Sequence, residues 1–328
     1  MAARLQSLGA TGARFLSDQA PLLALLGIVI GLTIATPSFL SARNLVVVGT
    51  EASVLLVAAV GQTFVILLGS IDLSTEGVMA TSSMVVALLV ANDRTHLSLG
   101  AAGILLTVAV GGGFGLVNGT VHAVGRIPSF MVTLGTWYVG IGIATVLFAG
   151  QTPVIQSALT TGLAQTRVLG VPPLVFIAAV SAAIGIVLLN WTRFGRYILT
   201  IGGNEQLAQL AGVPVTRYKI LAFSLAGAMN ALAGILATAE IGNGSVTVGT
   251  GMVFATIASV VVGGTPLTGG RGGIWNTVIG VLILTSIADG MILAGTGPQI
   301  QQSVQGAVVV IAVAASSWAL RKRLRVVK

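Results

Sequence analysis

The chain has 328 residues, 55% of them hydrophobic and 7% charged, with a mean hydropathy of +1.01. About a quarter of the residues in a soluble globular domain are charged, so this composition excludes that class and predicts an all-α, polytopic membrane protein. The net charge of +8 does not mark a nucleic-acid partner, because the basic residues gather on no amphipathic or aromatic-rich segment.

In chain order, Arg4 and Arg14 precede the first apolar run, which begins near Pro21. No small-x-small cleavage site follows, so the run reads as a retained first helix. Apolar runs then predict ten spans, at roughly 21 to 37, 45 to 69, 75 to 92, 97 to 122, 127 to 149, 171 to 190, 217 to 241, 252 to 268, 273 to 295 and 299 to 319. With both termini in the cytoplasm, thirteen basic residues fall inside: Arg4, Arg14, Arg126, Arg193, Arg196, Arg217, Lys219, Arg271, Arg321, Lys322, Arg323, Arg325 and Lys328. Arg43, Arg94 and Arg167 fall outside. This bias orients the chain and divides it into a cytoplasmic segment 1 to 20, a single membrane domain 21 to 320 and a basic tail 321 to 328. The 44 glycines suit closely packed membrane helices.

Within the second and third runs, VILLGSIDLSTEGVMA (65 to 80) breaks the hydrocarbon with Gly69, Ser70, Asp72, Ser74 and Glu76. Asp72 or Ser74 is expected to cap the following helix, since unpaired amides at membrane depth are costly. The segment 115 to 137, GLVNGTVHAVGRIPSFMVTLGTW, places an interfacial turn at Arg126 and Pro128. Residues 150 to 170 form the longest external connection, with room for a short helix. Residues 242 to 250, GNGSVTVGT, form an uncharged and flexible one.

The longest polar island is residues 195 to 219. There Gly202 and Gly203 read as breakers, Asn204 as an N-cap and Glu205 as a first-turn anion. A helix over about 205 to 211 is expected, closed by a C′ glycine at Gly212 and by Pro214. Leu207, Leu210 and Ala211 share one stripe of it. It is too short and polar to span a bilayer. Further on, VVVGGTPLTGGRGGI (260 to 274) echoes the earlier break, with Gly263, Gly264, Leu267 and Thr268 matching Gly69, Ser70, Leu73 and Ser74. Such an echo arises by internal duplication or by chance between two glycine-rich breaks.

Ionisable groups inside spans are functional candidates. Glu51 and Glu240 lie near span ends, where an interfacial position explains them equally well. Asp289 is deeper, and Asn118 is its neutral counterpart. Phe130, Trp137 and Tyr138 form either an aromatic gate or interfacial anchors. The chain has no HExxH, GxSxG or Walker sequence, so no catalysis is expected. It also has no Cys and only His96 and His122, so neither a metal nor a cofactor is expected.

Four of these stretches carry a resemblance. GRYILTIGGNEQLAQLAGV, the Ile71-Asp72-Leu73-Ser74 element, the block 115 to 137 and V-V-G-G-T-x-L-x-G-G-R-G together resemble the ribose-type ABC sugar importer permeases. The likeness runs from about residue 45 to the last span and is specific to the family, not to a sugar. It implies a permease of the bacterial inner membrane that hydrolyses nothing itself and works by alternating access. The implied partners are separate ABC ATPase subunits, an extracytoplasmic substrate-binding protein facing the two outer connections, and a second permease subunit, copy or paralogue. Gly202, Gly203, Asn204, Glu205, Leu207, Ala208, Leu210 and Gly212 would form the ATPase-coupling helix. Asp72, Ser74, Asn118, Phe130 and Asp289 are the candidates for the translocation pathway. Three residues depart from the family pattern: Glu76 stands where a small residue is usual, and Val253 and Ala255 stand where relatives carry acids. The alternative function is an ion-coupled transporter using Asp289, Glu240 or Asp72, which uptake by this chain alone would reveal.

Overall fold

The computed structural model describes residues 19–297 and, beyond them, 299–301, 303, 304, 306–308, 310, 311 and 314. Twelve named helices follow one another: α1 Ala20–Ala35, α2 Ala42–Leu67, α3 Thr75–Leu89, α4 Ala101–Gly125, α5 Ser129–Phe148, α6 Ala158–Gln165, α7 Pro173–Trp191, α8 Arg193–Gly203, α9 Glu205–Leu210, α10 Val215–Ile241, α11 Met252–Val262 and α12 Ile274–Leu293. The described residues from 299 to 314 are helical as well. Among the described residues there are only isolated bridges and no strands.

Nine of the ten predicted runs coincide with a helix, and the tenth lies only partly within the described residues. Six helices, α2, α4, α5, α7, α10 and α12, are long and apolar enough to cross a membrane. The helices α1, α3 and α11 are apolar but shorter. For α11 the expected run to 268 stops at Val262, because Gly263 and the positive-φ Gly264 turn the chain.

The core is built on α2 and α10. Backbones approach closely where side chains are absent, since in lipid it is packing that holds helices together. A stripe of Gly111, Gly115 and Gly119 on α4 lies against Gly227, Phe223 and Ile220 of α10. A Cβ on Gly115 would overlap the Phe223 carbonyl. On its other side α10 meets Gly61 of α2 through Ala226 and Met229.

Beside the outer part of α10 runs α3, in a fixed register. Asn230 reaches Thr75, Gly234 packs on Met79, and Thr238 Oγ1 donates to Ser83 Oγ at 2.7 Å. Asn230 sits about 22 Å up a helix about 40 Å long, at 1.5 Å per residue. The third helix therefore starts near mid-depth.

The connection 242–251 is a correction to the expected flexible loop. It descends along α3, with Gly244 against Ala87, the Ser245 amide donating to Ser83 Oγ at 3.0 Å, and Gly249 against Met79. Its small residues permit that approach, and α11 consequently begins beside the start of α3, near mid-depth. Irregular backbone is tolerated at such depth only when protein satisfies it.

The described connections gather at two ends. One holds residue 20, the α4–α5 turn, α8, α9 and the glycine-rich 263–273 segment, as the contacts of Pro21 with Gly264 and of Gly270 with Leu67 show. The other holds residues 91–95, 150–157 and 242–244. There the Ile155 amide donates to the Gly242 carbonyl at 3.0 Å and the Gln156 amide to Ala91 at 2.8 Å. The helix that sequence allowed between 150 and 170 is α6.

Candidate functional site

The helix α9 is built as its residues dictate. Asn204 adopts an extended conformation and its Oδ1 accepts the Leu207 amide at 3.0 Å, an N-cap of the ordinary kind. At the other end Gly212 has φ +78, and the Val213 amide donates to the Ala208 carbonyl at 3.0 Å. A left-handed glycine with that bond is a Schellman stop.

The side chains divide into two faces. Leu207 and Leu210 project outward, 62% and 85% exposed, whereas Ala208 is buried in the core cluster that includes Phe64, Leu67 and Ile198. Ala208 thus seats the helix on its own chain and presents nothing to a partner. Gly202 and Gly203 are helical, the last residues of α8, and so are not breakers; the break is at Asn204. Gly202 is required for a different reason. A Cβ there would overlap the Leu67 carbonyl and the Gly270 amide, while one on Gly203 meets nothing within 4 Å.

The Gly270 amide donates to the Leu67 carbonyl at 2.9 Å, and Gly269 packs on Gly69. Three segments, the α8–α9 junction, the end of α2 and the 263–273 loop, therefore touch backbone to backbone. Glu205 faces inward to α10 as well. Its carboxylate accepts from Lys219 Nζ at 2.8 Å through one oxygen and lies 2.7 Å from it through the other. This is the one salt bridge among the described residues, and it borders a cleft of about 690 Å³ that also takes in His122, Arg126 and Gln209.

Past the α2 break, the structure brings three of the five pathway candidates together. Asp72 Oδ1 accepts from the Ser74 amide at 2.8 Å and from Ser74 Oγ at 2.6 Å. Asn118 Nδ2 donates to Ser74 Oγ at 2.9 Å, and Thr136 Oγ1 donates to Asn118 Oδ1 at 2.7 Å. Asp72, Ser74 and Asn118 are fully buried. Two further amides of the unwound stretch are met by α5, Ile71 by Ser129 Oγ at 3.0 Å and Leu73 by Thr133 Oγ1 at 2.9 Å. Ser74 occupies the N-cap position of α3 but makes no side-chain cap bond; Asp72 supplies the local bond instead.

The other two candidates add no side-chain bond to it. Phe130 is half exposed on α5, next to Ser129, and Tyr138 is exposed on the same helix, stacked on Trp137. Asp289 is buried near the outer end, accepting from Asn44 Nδ2 at 2.7 Å. Glu51 and Glu240, which a surface position explained equally well, share the wall of one outer cavity.

Of the three departures, Glu76 meets the start of α11, the helix that carries Val253 and Ala255. Glu76 Oε1 accepts the amide of Gly251, the N-cap of α11, at 2.8 Å. Val253 is one of that helix's first residues and fully buried. Glu76 on α3 thus sets a carboxylate at the start of α11, where an anion suits a helix N-terminus.

The two glycine-rich breaks end their helices alike. Gly69 and Ser70 amides donate to the carbonyls of Ile66 and Val65, and Gly264 and Thr265 amides donate to those of Val261 and Val260. Gly69 and Gly264 are both left-handed. The equivalence pairs Gly69 with Gly264, one residue on from the Gly69 to Gly263 match suggested by the letters.

Residues 44–313 match the model of a transporter family described as the branched-chain amino acid transport system / permease component. The ribose import permease protein RbsC of Escherichia coli (strain K12) is 35% identical over 91% of this chain and 93% of its own. The chain belongs to the ribose-type ABC importer permease family. RbsC of Bacillus subtilis (strain 168) is 36% identical over 89% of this chain and 90% of its own, and the galactose/methyl galactoside import permease protein MglC of Salmonella typhimurium is 32% identical over 90% and 92%. No solved structure matches the chain. The permease is a multi-pass protein of the bacterial inner membrane and a transport subunit.

Proposed function

We propose that this permease moves a neutral monosaccharide or related polar solute inward by alternating access, driven by ATP hydrolysis in separate subunits. The observation that carries this is α9. A six-residue helix at the polar end turns two leucines to solvent while its other face is locked to the core by Ala208 and the Glu205–Lys219 pair. Two exposed leucines on a rigid mount suit the apolar groove of a partner. The residues 202–212 then act together: Leu207 and Leu210 touch the ATPase, Asn204 and Gly212 fix the helix ends, Ala208 and Glu205 seat it, and Gly202 with Gly203 joins it to the core.

In this reading ATP binding draws the ATPase pair together and pushes α9. The glycine contacts pass that shift to the end of α2 and to the break holding Asp72 and Ser74, to which Asn118 of α4 is bonded. This network is sealed in the conformation described, so its polar atoms meet solute only after the helices part. The permease is one domain of ten spans over residues 21 to 320, with its termini on the side of α9. Residues 1 to 18 of the first segment and all of 321 to 328 lie outside the described residues. A second permease subunit, a copy or paralogue, completes the pathway, lipid surrounds both, and a substrate-binding protein delivers solute at the far end. The relatives named for ribose and galactose import support a sugar, and the hydroxyls and amides around Asp72 suit a solute rich in hydroxyls.

The test is reconstitution. Proteoliposomes holding this chain, its ATPase and its binding protein are expected to accumulate sugar only with ATP inside reach of the ATPase. Uptake by the chain alone, driven by an ion gradient, would refute the reading.

A further inference from the structure

At the end opposite α9 a cavity of about 650 Å³ opens between α2, the α6–α7 connection and the outer end of α10. That volume falls within the range of about 300–1,000 Å³ usual for small-molecule sites. Arg43, Thr50 and Glu51 line it from α2. Their spacing of seven and eight residues puts them on one helical face. Arg167 and Glu240 complete the wall from the other two elements.

Four charges thus face one space, two of each sign, and among the described residues none of them makes an ion pair or a side-chain hydrogen bond. Charges near membrane depth turn to a bundle interior or a wet cavity, not to lipid. Glu51 lies nine residues below the start of α2, about 14 Å at 1.5 Å per residue. A flat protein surface does not reach that far, whereas a small solute does. Balanced donors and acceptors with no net charge suit a neutral ligand rich in hydroxyls, each of which donates and accepts.

A second observation continues the same face inward. Gln62 is eleven residues beyond Glu51, three helical turns, and therefore points the same way. It is 1% exposed, and neither its amide oxygen nor its nitrogen has a partner among the described residues. Such a buried amide is destabilising. Between the two lie the buried Val54, Leu55 and Ala58.

We propose that this cavity is the entry subsite for a neutral polyhydroxylated solute, with Arg43 and Arg167 donating and Glu51 and Glu240 accepting hydrogen bonds. Gln62 is the next ligand inward, reached when the apolar seal opens. The inference rests on the import reading above and adds to it a place and a set of contacts.

The experiment uses the whole transporter in proteoliposomes, with ribose, arabinose and galactose as probes. Glu51→Gln and Glu240→Gln are expected to lower uptake about tenfold, the loss of roughly one charged hydrogen bond, with binding-protein affinity unchanged. In a chain without cysteine, Thr50→Cys is expected to react with a membrane-impermeant maleimide from outside, and a transported sugar to slow that reaction. Gln62→Leu is expected to raise the melting temperature while lowering uptake. Uptake within about twofold of wild type in both glutamine variants, a range too small for a lost hydrogen bond, overturns the subsite. So does sugar that leaves the Thr50→Cys reaction unchanged. Lost binding-protein affinity would make the cavity a docking surface and also overturn it. Gln62→Leu with normal uptake removes the inward ligand. If the wild-type assembly imports none of the three sugars, the import reading itself fails and takes this inference with it.

Discussion

Single residues here are best understood by what their backbone neighbours leave room for. Gly202 and Gly203 are adjacent in sequence and identical in type, yet only the first has backbone in the place of a Cβ. Gly202→Ala is therefore expected to displace the Leu67 carbonyl and the Gly270 amide and to cut ATP-driven uptake, while Gly203→Ala leaves uptake at the wild-type level; parallel uptake assays compare them. The Glu205–Lys219 pair makes a second contrast. Lys219 is buried and Glu205 partly exposed, so removing the carboxylate alone leaves a buried ammonium at a cost of about 2–3 kcal/mol. Glu205→Lys and Lys219→Glu should each uncouple ATP hydrolysis from transport, and the double exchange should recover much of the coupling. Failure of the exchange to recover any would mean Glu205 serves the partner rather than α10. Residue identity was legible in the sequence for Asn204, Glu205 and Gly212, because capping is a local event. It was not legible for Ala208 or Gly202, whose surroundings include residues of α2 more than a hundred positions away.

At the level of elements, the glycine stripe of α4 decides how near α10 can lie. Gly115→Val should destabilise the fold by about 1–3 kcal/mol or more, the usual cost of overpacking, whereas Gly113, with nothing within 4 Å of a Cβ, should accept valine without loss. Thermal unfolding of the two variants in detergent separates them. The start of α11 offers a compensating pair. Glu76→Ala removes the acceptor for the Gly251 amide, a loss of about 1 kcal/mol for a cap, and Val253→Glu in the same chain should return part of it. If that double variant melts no higher than Glu76→Ala, the carboxylate has not simply changed helices. The apolar runs were readable because a span needs a long hydrophobic stretch. The descent of 242–251 was not, since polarity and glycine content look the same in a surface loop and in one threaded beside α3.

For the molecule as a whole, the described connections sort into two ends. Of the thirteen basic residues expected inside, six are described, and all six, Arg126, Arg193, Arg196, Arg217, Lys219 and Arg271, belong to the α9 end or its glycine-rich neighbour. Arg43, Arg94 and Arg167 are at the other, and the remaining seven basic residues lie outside the described residues. The positive-inside rule then predicts that α9 lies on the cytoplasmic side. Leu169→Cys, at a position 91% exposed, should react with an impermeant maleimide in intact cells, and Leu210→Cys, at one 85% exposed, only in inverted vesicles and less so with the ATPase bound. Reaction of Leu210→Cys in intact cells would reverse the orientation.

The junction where Gly202, Gly270, Leu67 and Gly69 meet has no side chain between its strands of main chain. Methyl and methylene groups act as cushions, since they rotate and absorb small movements; here there are none. On the coupling proposed above, a push on the short helix below is expected to arrive at the polar knot above almost undiminished. Enlarging any one of these glycines would therefore act less like a local injury than like play in a gear train, with fuel still burned and cargo left behind.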